Sequence, residues 1–384
     1  MSKYSAIKHL TKEDVVKNGS IFTPKSITKL VWEKCKDLLT EDMIILDMGS
    51  GYGAFISEFT SKVPNTVIGT EYDEFSYNFL VQEFPGATFF HDNSLLDISR
   101  EKYGILTQQP LLIVGNPPYN DITSQYKKGE KGNVECDEDV RSRDFGMSFL
   151  KAYNKLSPEY ICVLHPFAYL IKKQNFNSLG SFSKNYKLIN ATVFSSKEFE
   201  TIMRTNSDFP VVAALYRRDK NGMDYDYIRE FKFRIFRTRK NFVLSEIKTI
   251  DGIISKYPSK TKQEKLQFYT LRDMNALFRN AAFVGPTVKN GVDVSITTLY
   301  QYAWLFFLKE NFSPKKYAFI YGNLSPLYSD KIESDEIKRM LVSYAYDKSV
   351  FVKQAFTSSQ IQLHYGEMLT EYQPLYDILN SLYI

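Results

Sequence analysis

The 384-residue chain is poor in the side chains that build disulfide frameworks and metal centres. Its three cysteines, Cys35, Cys136 and Cys162, lie far apart without paired spacing, which argues against disulfides and for a reducing compartment. The four histidines are equally scattered, and His165, at the end of an apolar run, reads as a packed residue rather than a ligand. We therefore expect no metal.

Long apolar runs and a strong charge imbalance are also missing. No stretch reaches the ~18 apolar residues needed to span a bilayer, and residues 1–8 lack the apolar segment of a signal peptide. Because 49 basic residues nearly balance 44 acidic ones, the net charge of +5 does not by itself indicate a nucleic-acid partner. We expect a soluble, cytoplasmic protein of two or three domains with no membrane partner.

The most informative stretch is residues 111–119, Leu-Leu-Ile-Val-Gly-Asn-Pro-Pro-Tyr. Its unbroken apolar run predicts a buried parallel strand. Pro117 and Pro118 then force a turn at the carboxyl end of the strand, where open α/β sheets bind ligands. The Asn116 amide and the Pro117 carbonyl would be fixed acceptors there, and Tyr119 offers a flat face. A planar group that carries an NH2 would fit, although a plain strand exit with two prolines is the structural alternative.

A glycine-rich turn follows an earlier predicted strand. Residues 43–55 read as a short apolar strand, a turn with alternate glycines and a helix start, with Asp47 at the strand end. Glycines let the backbone approach a ligand closely, and Asp47 can accept a hydrogen bond from an amine. The turn lacks the spacing and the lysine of phosphate-binding loops. Upstream, Thr23 suits an N-cap and Pro24 a first helical residue, and such a helix start can hold a carboxylate.

Two further predicted strands end at acidic side chains. Glu71 ends the strand 66–70, where it suits an acceptor for ribose hydroxyls, and Asp92 follows the strand 87–90, where it can accept from an adenine amine. Seven strands are predicted, ending near residues 48, 70, 90, 115, 164, 194 and 216. With helical patterns between the early strands, the sequence predicts the α/β class and a doubly wound, seven-stranded, mostly parallel sheet.

In order and separation these motifs resemble the S-adenosylmethionine-dependent amino-methyltransferases of DNA, in particular the gamma-ordered adenine-N6 enzymes. The motifs are Phe22-Thr23-Pro24, Asp47-Met48-Gly49-Ser50-Gly51-Tyr52-Gly53, Glu71, Asp92 and Asn116-Pro117-Pro118-Tyr119. The resemblance covers residues 19–218. It implies a Rossmann-like, sequence-specific enzyme that transfers a methyl group to the N6 amino group of a flipped-out adenine by direct in-line displacement.

The same resemblance implies roles for single residues. The implied cofactor-binding residues are Phe22, Thr23, Pro24, Asp47, Gly49, Ser50, Gly51, Gly53, Glu71, Asp92 and Asn116. The implied catalytic residues are Asn116, Pro117, Pro118 and Tyr119, with Phe194 or Phe199 as a second aromatic face for the base. The sequence does not decide between these two phenylalanines. Two acceptors on the amine hydrogens would free the nitrogen lone pair, so positioning rather than a titrating base would drive the reaction.

The composition changes near residue 220. We expect residues 1–218 to form the S-adenosylmethionine-binding catalytic domain and residues 219–384 a separate, mixed α+β target-recognition domain that binds double-stranded DNA. As a strand, the basic and apolar alternation after residue 229 would put Lys232 and Arg234 on one face as a phosphate track, with Arg237 as a further candidate for the same face. An ordinary edge strand with a solvated face is the alternative.

Several alternatives stay open. The polar segment 120–143 reads either as a mobile loop over the site or as a disordered insertion. An RNA adenine or a protein glutamine methyltransferase would use the same chemistry, and a non-catalytic DNA-binding relic is the non-enzyme alternative. In the prokaryotic or phage setting of restriction-modification systems, a cognate restriction endonuclease acting on the same site is a further partner that the resemblance allows. The DNA recognition sequence and the oligomeric state cannot be read from these residues.

Overall fold

The computed structural model describes residues 23–119, 135–142, 144–199, 208–312 and 319–383. The chain divides into two compact units, residues 1–244 and 245–384. This division lies further along the chain than the expected boundary at 218/219, because two strands beyond residue 219 belong to the sheet of the first unit. The functional roles expected for the two domains stay predictions.

One nine-stranded sheet forms the centre of the first unit. Its strands are β1 (Ile44–Met48), β2 (Val67–Glu71), β3 (Thr88–His91), β4 (Leu111–Gly115), β5 (Tyr160–Pro166), β6 (Tyr186–Ser195), β7 (Pro210–Arg218), β8 (Lys232–Ile235) and β9 (Asn241–Val243). Their order is β3-β2-β1-β4-β5-β7-β6-β8-β9, and the pairs are parallel except β5–β7, β6–β7 and β8–β9. The predicted α/β class and mostly parallel sheet are confirmed, whereas the predicted count of seven strands is too low by the two that follow β7.

Helices lie between the early strands, as the sequence patterns predicted. The longer ones are α1 (Lys25–Cys35), α2 (Ala54–Thr60), α3 (Glu74–Glu83) and α4 (Phe145–Leu156). Shorter ones are α5 (Ala168–Ile171), α6 (Lys173–Ser178), α7 (Ser181–Asn185) and α8 (Tyr225–Glu230), with 3-10 turns at Lys36–Leu38, Glu101–Tyr103 and Ser196–Glu198. Buried apolar residues of α1 and α2 pack with those of β1, β4, β5 and β7 in one core cluster.

The carboxyl ends of β1, β2 and β4 meet where the strand order reverses. Asp47 of β1 pairs in register with Gly69 of β2 on one side and with Val114 of β4 on the other. Crossovers that leave a parallel sheet in opposite directions open a crevice at this point. Asp47, Glu71 and Asn116 therefore come from three neighbouring strand ends.

The basic strand β8 belongs to this sheet and not to the second unit, where it was expected. Exposed and buried residues alternate along it: Lys232 and Arg234 are exposed, while Phe233 and Ile235 are buried. The Phe233 ring packs edge-to-face against Phe167, with ring centroids 4.9 Å apart. The sequence pattern suggested the second unit because the charged face of β8 dominates its composition. The apolar face of β8 instead packs against the core of the first unit.

The second unit combines a small antiparallel sheet with helices. Its strands are β10 (Gln267–Tyr269), β11 (Phe283–Val284) and β12 (Gly291–Asp293), in the order β11-β10-β12. Its helices are α9 (Met274–Arg279), α10 (Leu299–Asn311), α11 (Asp335–Lys348), α12 (Val350–Ala355), α13 (Ser358–Tyr365) and α14 (Gln373–Ser381), with 3-10 turns at Phe319–Asn323 and Asp330–Glu333. The buried Trp304 of α10 donates from Nε1 to the Leu327 carbonyl oxygen at 2.8 Å. None of the helices in the described ranges has both the length and the apolarity that a bilayer span requires.

Replacing Phe233 by alanine tests whether β8 is part of the first unit. The side chain is fully buried, so Phe233→Ala should lower the free energy of unfolding by about 3–5 kcal/mol, through lost burial and the cavity that remains. Phe351→Ala, at an exposed position in the second unit, serves as the control and should cost far less. Hydrogen exchange during denaturant unfolding measures the effect. Unchanged exchange in β6 and β7 would contradict the placement of β8.

Candidate cofactor and catalytic site

The loop after β1 turns on glycines with left-handed backbone angles. Gly49, Gly51 and Gly53 have φ of +84°, +54° and +73°. At Gly53 a side chain is excluded, because a Cβ there would lie 2.6 Å from Phe84 and 2.8 Å from Leu80. Around Gly51, by contrast, no heavy atom of the described structure lies within 4 Å of the corresponding position. The loop is packed tightly on the helix side and leaves its backbone approachable at Gly51.

Glu71 holds this loop from the end of β2. One carboxylate oxygen accepts from the Gly51 N–H at 2.7 Å, and the other accepts from the N–H groups of Tyr72 and Asp73, both at 2.9 Å. Burial raises the pKa of Glu71, and these three backbone donors oppose the rise. Glu71 is therefore a positioned hydrogen-bond acceptor at the strand end.

The Asp47 carboxylate lies buried beside β4. Asp47 is 1% exposed, and neither of its carboxylate oxygens has a hydrogen-bond partner among the described residues. A Cβ at Gly115 would lie 2.9 Å from Oδ1 of Asp47, so glycine is needed there to admit the carboxylate. Burial, with the negative charge of Glu71 as a second cause, raises the pKa of Asp47 well above its ordinary value. A carboxylate kept from water without donors is costly, and this one suits a ligand that brings a cation or N–H groups.

Asp92 lies at the end of β3 and is already engaged. Its carboxylate forms an ion pair with Lys102, whose ammonium also donates to the carbonyl oxygens of Asn93 and Leu96. Its backbone N–H donates to the Glu71 carbonyl oxygen at 3.0 Å, which ties the end of β3 to that of β2. Any adenine amine would share this carboxylate with Lys102.

At the end of β4, three side chains form one hydrogen-bonded group. Asn116 donates from Nδ2 to the Thr23 hydroxyl at 3.1 Å, and the Tyr119 hydroxyl donates to Oδ1 of Asn116. The N-cap of α1 is Pro24, without a side-chain cap, so the predicted N-cap role of Thr23 is wrong. The Thr23 hydroxyl instead accepts from Asn116, which ties the start of α1 to the Asn-Pro-Pro-Tyr turn. In that turn Pro117 is buried and Pro118 is half-buried.

Both candidate stacking phenylalanines lie in the core of the first unit. Phe194 is 1% and Phe199 is 4% exposed, and their rings meet edge-to-face with centroids 5.6 Å apart. Tyr119 packs against the same core cluster that contains these two phenylalanines. Phe22, and the segment 120–143 apart from 135–142, lie outside the described residues.

Sequence reasoning missed the contribution of α4. The ring of Phe149 lies 3.9 Å from the position that a Cβ at Gly49 would take. Tyr153, one turn further, is fully buried, and its hydroxyl lies 3.9 Å from the corresponding position at Gly115. Both residues sit in an ordinary amphipathic helical pattern, so no sequence signal separates them from core residues.

Only two of the three candidate phosphate-binding residues lie on β8. Lys232 and Arg234 are exposed there. Arg237 lies beyond the strand, and its guanidinium forms a bidentate ion pair with Glu198, at 2.9 and 2.5 Å. The expectation that all three share one strand face is therefore wrong for Arg237, whose charge is already paired.

A further basic residue, Lys34 of α1, lies near this strand. Its ammonium donates to the Asn190 side chain and, at 2.8 Å, to the hydroxyl of Thr192, which pairs in register with Arg234. Burial lowers the pKa of Lys34 to about 8. No sequence pattern groups Lys34 with Arg234, because the two residues lie far apart in the chain.

His165 is packed in the core, as predicted. It is fully buried; Nδ1 lies 3.0 Å from the Pro166 carbonyl oxygen and Nε2 lies 2.7 Å from the Tyr216 hydroxyl. Burial lowers its pKa to about 4. Within the described ranges, no three His, Cys, Asp or Glu side chains converge as metal ligands would.

The comparison with known proteins gives one partial sequence match. No protein-family model matches the chain. The Type II methyltransferase M.CvrRI of Paramecium bursaria Chlorella virus XZ-6E is 34% identical over 134 residues, which are 35% of this chain and 32% of that protein. The match thus spans about a third of the relative's length. The sequence predicts S-adenosylmethionine as the cofactor, and the partial similarity to a methyltransferase supports this prediction.

Similar solved structures share far less sequence. A modification subunit assigned to a type I restriction enzyme of Vibrio vulnificus YJ016 is 14% identical, with a TM-score of 0.43, over 66% of this chain and 57% of that one. A protein of Listeria monocytogenes assigned to the class I S-adenosylmethionine-dependent methyltransferases is 16% identical, with a TM-score of 0.41, over 60% of this chain and 68% of that one.

Asp47→Asn should change how stability depends on pH. The folded protein holds the Asp47 proton more tightly than the unfolded chain, so its free energy of unfolding should fall as pH rises from the ordinary aspartate value of 3.8 through the raised pKa. Asparagine carries no such charge, and the variant should become the more stable protein at the upper end of this range, by about 1–3 kcal/mol. Urea unfolding at a series of pH values measures the difference.

The raised pKa of Glu71 acts in the same direction, but Glu71 is present in both proteins and cancels in the comparison. Asp42→Asn, at an exposed carboxylate, is the matched control and should follow the parent curve. Parallel curves for the parent and Asp47→Asn would contradict the expectation.

Proposed function

We propose that the chain is an S-adenosylmethionine-dependent methyltransferase that acts on DNA, with the N6 amino group of adenine as its target. The observation that carries the proposal is the buried Asp47 carboxylate, which has no donor among the described residues and lies against Gly115, the residue before Asn116. An acceptor for a cationic amine thus lies next to an acceptor for a neutral one. The partial similarity to a Type II methyltransferase supports the same chemistry.

The residues present fit this cofactor. Its ammonium group would give Asp47 the donors that it lacks, and its ribose hydroxyls would bind the positioned carboxylate of Glu71. Asp92 would accept from the adenine amine alongside Lys102. When bound, the cofactor supplies a methyl group on a positively charged sulfur.

Asn116 and Pro117 would prepare the target amine. The lone pair of an aromatic amine is delocalised into the ring, so the amine is a weak nucleophile. Oδ1 of Asn116 and the Pro117 carbonyl oxygen would accept its two hydrogens, which favours a pyramidal nitrogen with its lone pair free. The Tyr119 hydroxyl already donates to Oδ1 of Asn116, so the target amine would replace this hydroxyl as the donor to Oδ1. Positioning and preorganised dipoles then supply the acceleration.

The adenine would have to leave the DNA stack, at a cost of a few kcal/mol, before its amine could reach Asn116. Stacking on aromatic rings in the pocket offsets part of this cost. Tyr119 would supply one face and Phe199 the other. Phe199 follows β6 and can shift without breaking strand hydrogen bonds, whereas Phe194 lies within β6 and pairs with Val211.

Asn116→Ala tests the catalytic role. Loss of the acceptor should reduce methyl transfer to DNA at least about a hundred-fold, while S-adenosylmethionine binding is largely retained. Transfer of a labelled methyl group and titration calorimetry measure the two effects. Asn65→Ala is the matched control: this side chain donates to the Thr40 and Met43 carbonyl oxygens, away from the strand ends of the site. Near-parental turnover of Asn116→Ala would refute the role.

Long-read sequencing of DNA from cells that express the chain tests the substrate. Adenines methylated at one short motif would support DNA as the target and define the recognition sequence. Unmodified DNA together with methylated RNA or protein would instead favour an RNA adenine or protein glutamine methyltransferase. Absence of cofactor binding in calorimetry would favour a non-catalytic relic.

Neutralising Lys232 and Arg234 tests the DNA partner. Each phosphate contact contributes about 0.9 to the slope of log affinity against log salt, so the double alanine variant should lose nearly two units of slope on any duplex. Arg237→Ala is the matched control within the same set, because its charge is already paired with Glu198, and it should change the slope less. Binding to specific and unrelated duplexes over a range of salt measures both. An unchanged slope for the double variant would remove β8 from the DNA contact.

A further inference from the structure

Helix α4 carries a hydroxyl group to which the proposed chemistry gives no role. Tyr153 is fully buried, and its hydroxyl has no hydrogen-bond partner among the described residues. Buried tyrosine hydroxyls normally find a partner, and one without a partner costs about 1–3 kcal/mol. A group that is kept at this cost at the edge of a ligand site calls for a functional explanation.

The hydroxyl and the Asp47 carboxylate both lie near Gly115. A Cβ at Gly115 would lie 2.9 Å from Oδ1 of Asp47 and 3.9 Å from the Tyr153 hydroxyl. Two buried polar groups, each without a partner among the described residues, therefore lie on either side of one point at the end of β4. Burial, and after it the negative charge of Asp47, raises the pKa of Tyr153, so the hydroxyl keeps its proton.

We propose that Tyr153 binds the ammonium group of the methionine part of S-adenosylmethionine together with Asp47, an inference that rests on the proposed function. An ammonium group has donors only and a carboxylate has acceptors only, whereas a hydroxyl does both. The Tyr153 hydroxyl and Asp47 form no hydrogen bond with each other in the described structure, so an ammonium group between them could donate one N–H to the hydroxyl and another to the carboxylate. Phenylalanine at this position would fill the same space and leave the ammonium short of one acceptor.

The inference is tested with two ligands that differ in the ammonium group. S-adenosylhomocysteine keeps the amino-acid part, and 5′-methylthioadenosine lacks it. Tyr153→Phe should weaken binding of S-adenosylhomocysteine about tenfold, the size of one lost hydrogen bond to a charged group, and leave binding of 5′-methylthioadenosine unchanged. Titration calorimetry measures both affinities. Because the hydroxyl has no partner to lose, the variant should unfold at no lower denaturant concentration than the parent.

Tyr186→Phe is the control, since it removes another buried hydroxyl, one that donates to the Pro158 carbonyl oxygen at 2.9 Å, and it should leave both affinities unchanged. Unchanged binding of S-adenosylhomocysteine to Tyr153→Phe would overturn the inference and leave the proposed function standing. Equal weakening of both ligands would also overturn it, because the ring would then act by packing alone. If the parent chain bound neither ligand, the proposed function would fail and this inference with it.

Discussion

The close approach of the Asp47 carboxylate to the β4 backbone is the constraint on which the candidate site depends. The carboxylate is buried without donors, and only a glycine at position 115 leaves room for it. Folding therefore bears the cost of removing a charge from water, or of holding it protonated, at one strand end. The burial of apolar strands on both sides of β1 in the nine-stranded sheet offsets this cost. The strand end that holds Asp47 is therefore the part of the site that a bound ligand would stabilise most.

The strand ends differ in how strongly they are held. Glu71 is fixed by three backbone donors and Asp92 by an ion pair, so both are organised before any ligand arrives. In the part of the chain that the structure describes, Asp47 has no such partner. Recognition of the nucleoside part would then rely on preformed acceptors. Recognition of a cationic amine would instead relieve a local electrostatic penalty.

Much of this arrangement could be predicted from the sequence, since strand-ending motifs have a local cause. An unbroken apolar run that stops at two prolines specifies both β4 and its turn, and Asp47 and Glu71 end their strands as expected. What the sequence could not give depends on long-range packing. The alternation in β8 reads equally well as an edge strand of either unit until the contact of Phe233 with Phe167 is known. The N-cap at Pro24 was missed because the partner of Thr23 lies 93 positions away in the chain.

The hydrogen bond from Tyr119 to Asn116 has a consequence for the choice between bases. Under the proposed function, an entering adenine amine would exchange one donor on Oδ1 of Asn116 for another, so this contact would gain little free energy by itself. A base that carries an oxygen in place of the amine has no hydrogen to offer. Such a base could not replace the hydrogen bond from the tyrosine hydroxyl, so it would lose a contact worth about 0.5–1.5 kcal/mol that the amine keeps. Under the proposed function, the resting contact between Tyr119 and Asn116 would therefore disfavour deaminated adenine relative to adenine.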